Sequence, residues 1–308
     1  MSQPDLDLPA QRFTFGYHLN TWDLGGLPLQ DGLETIRRND IPFVEALARD
    51  EISNDFARRY MQTGPQPLQV HPGDVAFLRR LAILSMASDA GLRVSSLYCN
   101  REFVNPLTWP AELDTLVGIA RVLHGFAAPG LVLGGGPPAR PGSDHEPGLY
   151  TRFARALRAV GERVAELGMW TAYHPHIDTF IETRDQLDRL MTELDSGPAG
   201  LCIDPAHLVL SGSDPVAAVR DYASVIRYMH FKDVLDPAKV SGPARYTAFR
   251  ELGGGVVDLR GVAAELRRAG YDGLVIIELD TTEHDPEQSV QTSLNYLRTE
   301  LGLAITPP

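Results

Sequence analysis

No stretch of the sequence approaches the roughly 20 consecutive apolar residues that a bilayer-spanning helix needs. The opening Met1-Ser2-Gln3-Pro4-Asp5 is polar and shows neither the basic nor the apolar region of a secretory signal, so a cytoplasmic protein is expected. Sulfur is scarce. Cys99 and Cys202 each sit inside an apolar run, which excludes a disulfide framework and reads as two buried free thiols. Positive charge is also short: 28 basic residues face 40 acidic ones, a formal net charge of −12, and no basic stripe relieves it. A polyanion is repelled at long range by such a field, so neither nucleic acid nor a membrane is an expected partner, whereas a small neutral polyol is compatible.

What the sequence does contain is ordinary globular stock, with 44% hydrophobic and 22% charged residues over 308 positions. Within it, one short pattern recurs. Leu201-Cys202-Ile203-Asp204-Pro205-Ala206-His207 is an apolar run that stops at a carboxylate, turns at a proline and presents an imidazole. Met169-Trp170-Thr171-Ala172-Tyr173-His174-Pro175-His176 ends on two histidines, Val225 to His230 ends on one, and Leu274 to Glu278 ends on a glutamate.

Read in order, the chain alternates such strands with helical stretches. Strands are predicted at Phe13 to Leu19, Phe43 to Leu47, Arg93 to Tyr98 and from Leu131 into a glycine turn, followed by the four runs above. Helices are predicted over Leu29 to Arg38, Asp74 to Ala90, Ala111 to Phe126, Leu149 to Leu167, Arg184 to Leu194, from Asp214, over Asp258 to Ala269 and over Glu287 to Leu301. Arg49 to Pro72 reads as a long polar loop, and Phe231 to Val257 as a second one that acts as a lid or pocket wall. Gly134-Gly135-Gly136 lacks the spacing of a dinucleotide or phosphate loop and reads as a plain flexible turn. Eight strand-then-helix units in residues 1–308 predict one domain, an α/β fold closed as a parallel (β/α)8 barrel.

Ligands in parallel barrels bind at the C-terminal ends of the strands. Four successive strands therefore deliver His174, Asp204, His230 and Glu278 to one rim, a mixed imidazole and carboxylate set expected to hold a divalent metal. Mn²⁺ or Co²⁺ is favoured, and Mg²⁺, Fe²⁺ or Zn²⁺ would also suit such donors. His176 shares its strand end with His174, so either of the two could be the ligand and the other would meet substrate. His176 and His207 are the candidates for acid/base work, Lys232 for an oxyanion stabiliser, and His18, Glu45 and Tyr98 for substrate-binding residues from the first three strands.

Tyr173-His174-Pro175-His176-Ile177-Asp178-Thr179, Cys202 to His207, Met229-His230-Phe231-Lys232-Asp233, Leu252 to Asp258 and Ile276-Ile277-Glu278 together resemble the xylose isomerase-like barrels. That family includes sugar-phosphate isomerases, ketose 3-epimerases, inosose dehydratases and endonuclease IV. The resemblance implies a TIM barrel with a divalent metal on Asp204, His230 and Glu278, and it is compatible with a homo-oligomer. The Tyr-His-Pro-His-x-x-Thr segment looks most like the inosose dehydratase branch. His174 stands where the epimerases usually carry a glutamate, which favours a metal-dependent dehydratase acting on a polyhydroxy ketone through an enediolate. A ketose epimerase or isomerase, a lyase cleaving C-glycosides of an oxidised sugar, and a non-catalytic polyol-binding or complex-forming barrel are the alternatives.

Overall fold

The structure, a computed structural model, describes residues 13–48, 72–137, 147–195, 197–303 and 305. The predicted loop at 49–72 lies, but for its last residue, outside them. Eight parallel strands close a barrel: β1 Thr14–His18, β2 Phe43–Leu47, β3 Arg93–Arg101, β4 Gly130–Gly135, β5 Trp170–Tyr173, β6 Ala199–Ile203, β7 Ile226–Phe231 and, closing back onto β1, Leu274–Ile277. The last of these is β10, because a two-stranded antiparallel ribbon intervenes, with β8 Asp233–Val234 paired to β9 Phe249–Arg250. The expected (β/α)8 architecture is therefore what the chain forms. Among the described residues, no helix is long and apolar enough to cross a membrane.

The outer helices begin where local chemistry starts them. Thr183 and Gln186 form a reciprocal capping box ahead of the helix Arg184–Leu194. Asp214 and Asp285 each cap a helix whose first residue is proline, a position that needs no amide hydrogen. Their apolar faces pack on the outward residues of the strands, such as Leu131, Leu201, Ile203 and Val275.

The inside of the barrel follows from the two-residue period of a strand. Phe43, Val132, Ala172, Cys202, Tyr228, Leu274 and Ile276 form a separate buried cluster within it. Moving two residues along four of those strands, from Ala172, Cys202, Tyr228 and Ile276, reaches His174, Asp204, His230 and Glu278. The same step from Gly16 and Phe43 reaches His18 and Glu45. An apolar plug thus fills the barrel below, and the next layer at its C-terminal mouth is polar.

The triple glycine differs from the flexible turn its composition suggests. Gly134 and Gly135 belong to β4, and a Cβ on Gly134 would lie 1.9 Å from the Tyr98 hydroxyl oxygen. The missing side chain makes room for Tyr98 to turn toward the mouth, where its ring meets His174 edge-on with centroids 5.6 Å apart.

Candidate metal centre and substrate pocket

One ligand atom from each of His174, Asp204, His230 and Glu278 lies within 4.8 Å of the others. All four side chains are buried, although they carry polar atoms that would ordinarily seek water. His174 Nδ1, Asp204 Oδ2, His230 Nδ1 and Glu278 Oε2 have no hydrogen-bond partner. His230 Nδ1 and Glu278 Oε2 approach to 2.7 Å without the alignment of a hydrogen bond. Buried orphan donors and acceptors are costly, and their presence on four side chains that each bring a ligand atom into one cluster is what a coordinated cation resolves. His176 is not in this group, so it is His174 whose position fits a ligand at the end of β5.

Three of the four members are held from behind. Asp204 caps the short helix Pro205–Leu210, its Oδ1 accepting from Ala206 N at 2.7 Å and His207 N at 3.3 Å, which leaves Oδ2 directed at the cluster. His230 donates from Nε2 to Glu45 Oε2 at 2.8 Å, leaving Nδ1 toward Glu278. Glu278 Oε1 accepts from Lys232 Nζ at 3.0 Å and from Asn20 Nδ2 at 3.1 Å. Lys232 and Asn20 also bind Asp280, at 3.0 and 2.9 Å, and the ammonium lies 4.0 Å from the centroid of the Phe249 ring.

The electrostatics agree with this arrangement. Burial lowers the pKa of His174 and His207 well below the usual imidazole range, and neighbouring histidines push the same way, so both rings are neutral. Burial also raises the Asp204 carboxyl to about 7, with Lys232 opposing and Glu278 adding to the rise. His230 is displaced upward: burial opposes its charge, but Cys202, Glu278 and Glu45 outweigh it. Burial likewise works against the Lys232 ammonium, and the carboxylates of Asp280, Glu278 and Asp204 more than offset it. Carboxylates outnumber cations in this buried mouth, an imbalance that a divalent cation would correct.

The other expected site residues surround the cluster. His207 packs against His176 with ring centroids 3.7 Å apart and planes tilted by 37°, and its Nε2 lies 3.5 Å from Asp204 Oδ2. Both nitrogens of His207 are buried and unpartnered. His18 Nε2 stands 3.9 Å from Glu45 Oε2. Glu45 itself is fully buried and engaged with His230, so the structure places it behind the cluster.

The long connection from Phe231 to Val257 forms a fixed wall. Asp233 accepts four backbone amides, from Val234 and Val257 on Oδ1 and from Gly253 and Gly255 on Oδ2, at 2.9 to 3.0 Å. A Cβ on Gly255 would fall 2.2 Å from Asp233 Oδ1, which explains glycine at that point of the Leu252-Gly-Gly-Gly-Val256 run. Farther out, Arg245 pairs with Asp178 at 2.9 Å and with Glu182, on the segment that follows β5. Next to this clasp the Tyr246 ring faces His176 with centroids 6.4 Å apart and planes 30° from parallel.

Asn20, Asp280 and the hub at Asp233 are additions to the sequence reading. A positional signal for the first two existed: Asn20 lies two residues beyond His18 and Asp280 two beyond Glu278, just past the ends of β1 and β10. Lys232 carried a compositional signal as well, because Lys232 and Lys239 are the chain's lysines and every other basic residue is arginine.

Comparison with known proteins bears on this geometry. The family model described as xylose isomerase-like TIM barrel matches residues 59–300. An inosose dehydratase of Lacticaseibacillus casei is 34% identical over 149 residues, 46% of this chain and 49% of that protein. The chain thus aligns with about half the length of the curated relatives it matches. Among solved structures, the IolI protein with a binding zinc atom superimposes with a TM-score of 0.72 at 15% identity, covering 94% of this chain and 98% of that one. A probable 3-DHS dehydratase, AsbF, from Bacillus anthracis gives a TM-score of 0.70 at 16% identity over 93% and 99% of the two chains. At these identities the structural likenesses concern the fold.

Proposed function

Since this chain belongs to the xylose isomerase-like TIM barrel family, we propose that it is a metal-dependent lyase acting on a cyclic polyhydroxy ketone of the inosose type. The observation that carries the reading is the convergence of one ligand atom from each of four buried side chains, His174, Asp204, His230 and Glu278, at the mouth of the barrel, with unpartnered polar atoms left on all four. The zinc atom in the IolI structure and the inosose dehydratase relative support it. A divalent cation held by these four residues would polarise the ketone and an adjacent hydroxyl, lowering the cost of an enolate-like transition state.

The chain's own groups supply the rest. His207 and His176 are in ring contact, and burial lowers the basicity of both; a neutral imidazole at neutral pH is able to take the α-proton. The imidazole that holds the proton can return it to the departing β-hydroxyl, which leaves as water. Lys232 donates to Glu278 and Asp280, fixing the Glu278 carboxylate, and holds a buried positive charge at the mouth where an oxyanion would develop. Tyr98 beside His174 and Tyr246 beside His176 would form the wall that meets the carbon side of a cyclic polyol. Arg245 keeps that wall in place by its pairs with Asp178 and Glu182.

A specific observation keeps a second reading, a ketose or keto-sugar epimerase, in play: both reactions begin with the same proton removal, and the barrel supplies more than one acid/base group at its mouth. They diverge in what happens next. With an inosose in D₂O, mass spectrometry of the product should show loss of one water and a conjugated enone or its diketone tautomer. A product of unchanged formula with one deuterium at an inverted carbon, and no dehydrated species, would make the epimerase the correct reading.

A further inference from the structure

Cys202 lies one layer beneath Asp204 on the same inward face of β6, fully buried within the barrel plug. Other strands fill that layer with Ala172, Tyr228 and Ile276, none of them able to ligate a metal through sulfur or imidazole. The thiol is not remote from the cluster above it: one ligand atom each of His174 and His230 lies within 4.8 Å of Cys202 Sγ and of one another. Both imidazoles are only 1% exposed, and the Nδ1 of each is unpartnered.

We propose that Cys202 is a thiol donor in the floor of the metal centre, so that the barrel presents two overlapping ligand faces sharing His174 and His230. On the upper face are the hard oxygens of Asp204 and Glu278; on the lower face is sulfur. Oxygen-seeking cations such as Mn²⁺ and Mg²⁺ are served by the upper face, whereas Co²⁺, Zn²⁺ and Cd²⁺ also draw in the thiol. As the sulfur–metal bond forms, the S–H bond breaks and its proton passes to water, with no change of oxidation state. Reading the sequence alone makes Cys202 an inert core residue because nothing in a single strand reveals that its inner neighbour layer touches the histidines. This inference rests on the metal reading above and adds to it a residue that determines which metal is preferred.

The test is titration of the metal-stripped full-length chain with cobalt(II) chloride, followed by absorption. Visible d–d bands report a bound cobalt ion whatever its ligands, and a near-ultraviolet charge-transfer band reports cobalt–thiolate bonding. Both should appear in the wild-type chain. In Cys202→Ser the charge-transfer band should vanish while the visible bands persist, and Cys99→Ser should retain both, since Cys99 lies in the outer core. Cadmium affinity should fall about tenfold or more in Cys202→Ser, with manganese affinity unchanged. If serine perturbs the plug, Cys202→Ala provides the same comparison without a buried hydroxyl. Visible bands without a charge-transfer band in the wild type would overturn the role of Cys202 and leave the metal centre standing. Absence of both would overturn the metal centre itself, and the thiol donor with it.

Discussion

Replacing Glu278 by Gln or His230 by Ala is expected to bring turnover to background and to weaken divalent-cation binding about 100-fold or more, because each removes a donor atom from the cluster. Glu45→Gln is expected to fall short of that, weakening binding by about 10- to 100-fold, because Glu45 acts through His230 Nε2 at 2.8 Å and contributes no atom to the cluster. The carboxylate fixes which imidazole nitrogen carries the proton and makes the opposite nitrogen a better donor. Metal titration by calorimetry measures the series. Equal affinities in the wild type, Glu278→Gln and His230→Ala would remove these residues from the site, and a Glu45→Gln loss as large as theirs would mean that Glu45 itself coordinates.

The second large effect belongs to Lys232. Its ammonium is fully buried, 3.0 Å from both Glu278 and Asp280, so Lys232→Met leaves two carboxylates facing each other without a cation. Breaking a buried pair in this way costs about 3–5 kcal/mol, far more than the loss of an exposed ion pair. The expected result is a strongly lowered urea midpoint in the metal-free protein, partly restored in Lys232→Met combined with Asp280→Asn, because the second change removes one of the stranded charges. A midpoint unchanged by Lys232→Met would show that the network does not hold Glu278 in place.

How far the fold could be read from sequence depended on whether a signal was local. Strand ends at His174, Asp204, His230 and Glu278 were legible because each run is a short apolar segment with a polar terminus, and a closed parallel barrel gathers such termini on one face. The helix start at Asp214 was legible for the same reason, a cap and a proline being adjacent residues, whereas the last helix, expected from Glu287, begins at Pro286 behind an Asp285 cap of the same kind. Glu45 was not legible in its role, because its partner His230 is 185 residues away and meets it only across the closed barrel. Asp233 looked like a loop residue beside Lys232, whereas three of its four amide bonds come from Gly253, Gly255 and Val257, on a segment that folds back over β8. The triple glycine misled for a related reason. Gly134 is small to accommodate Tyr98 from the neighbouring strand, a steric demand that flexibility in a turn imitates in sequence.

All of these features bear on one claim, that the imidazoles beside the buried histidine and carboxylate cluster remove the α-proton of a polyhydroxy ketone only when that cluster holds a divalent cation. Proton NMR of an inosose in D₂O tests this directly, with metal-stripped protein, the same protein after addition of one equivalent of Mn²⁺ or Co²⁺, and Glu278→Gln treated identically. Loss of the α-proton signal should be absent in the stripped protein, appear on metal addition, and stay absent in the variant. Exchange or dehydration at the same rate in the stripped protein as in the reconstituted one would contradict the account.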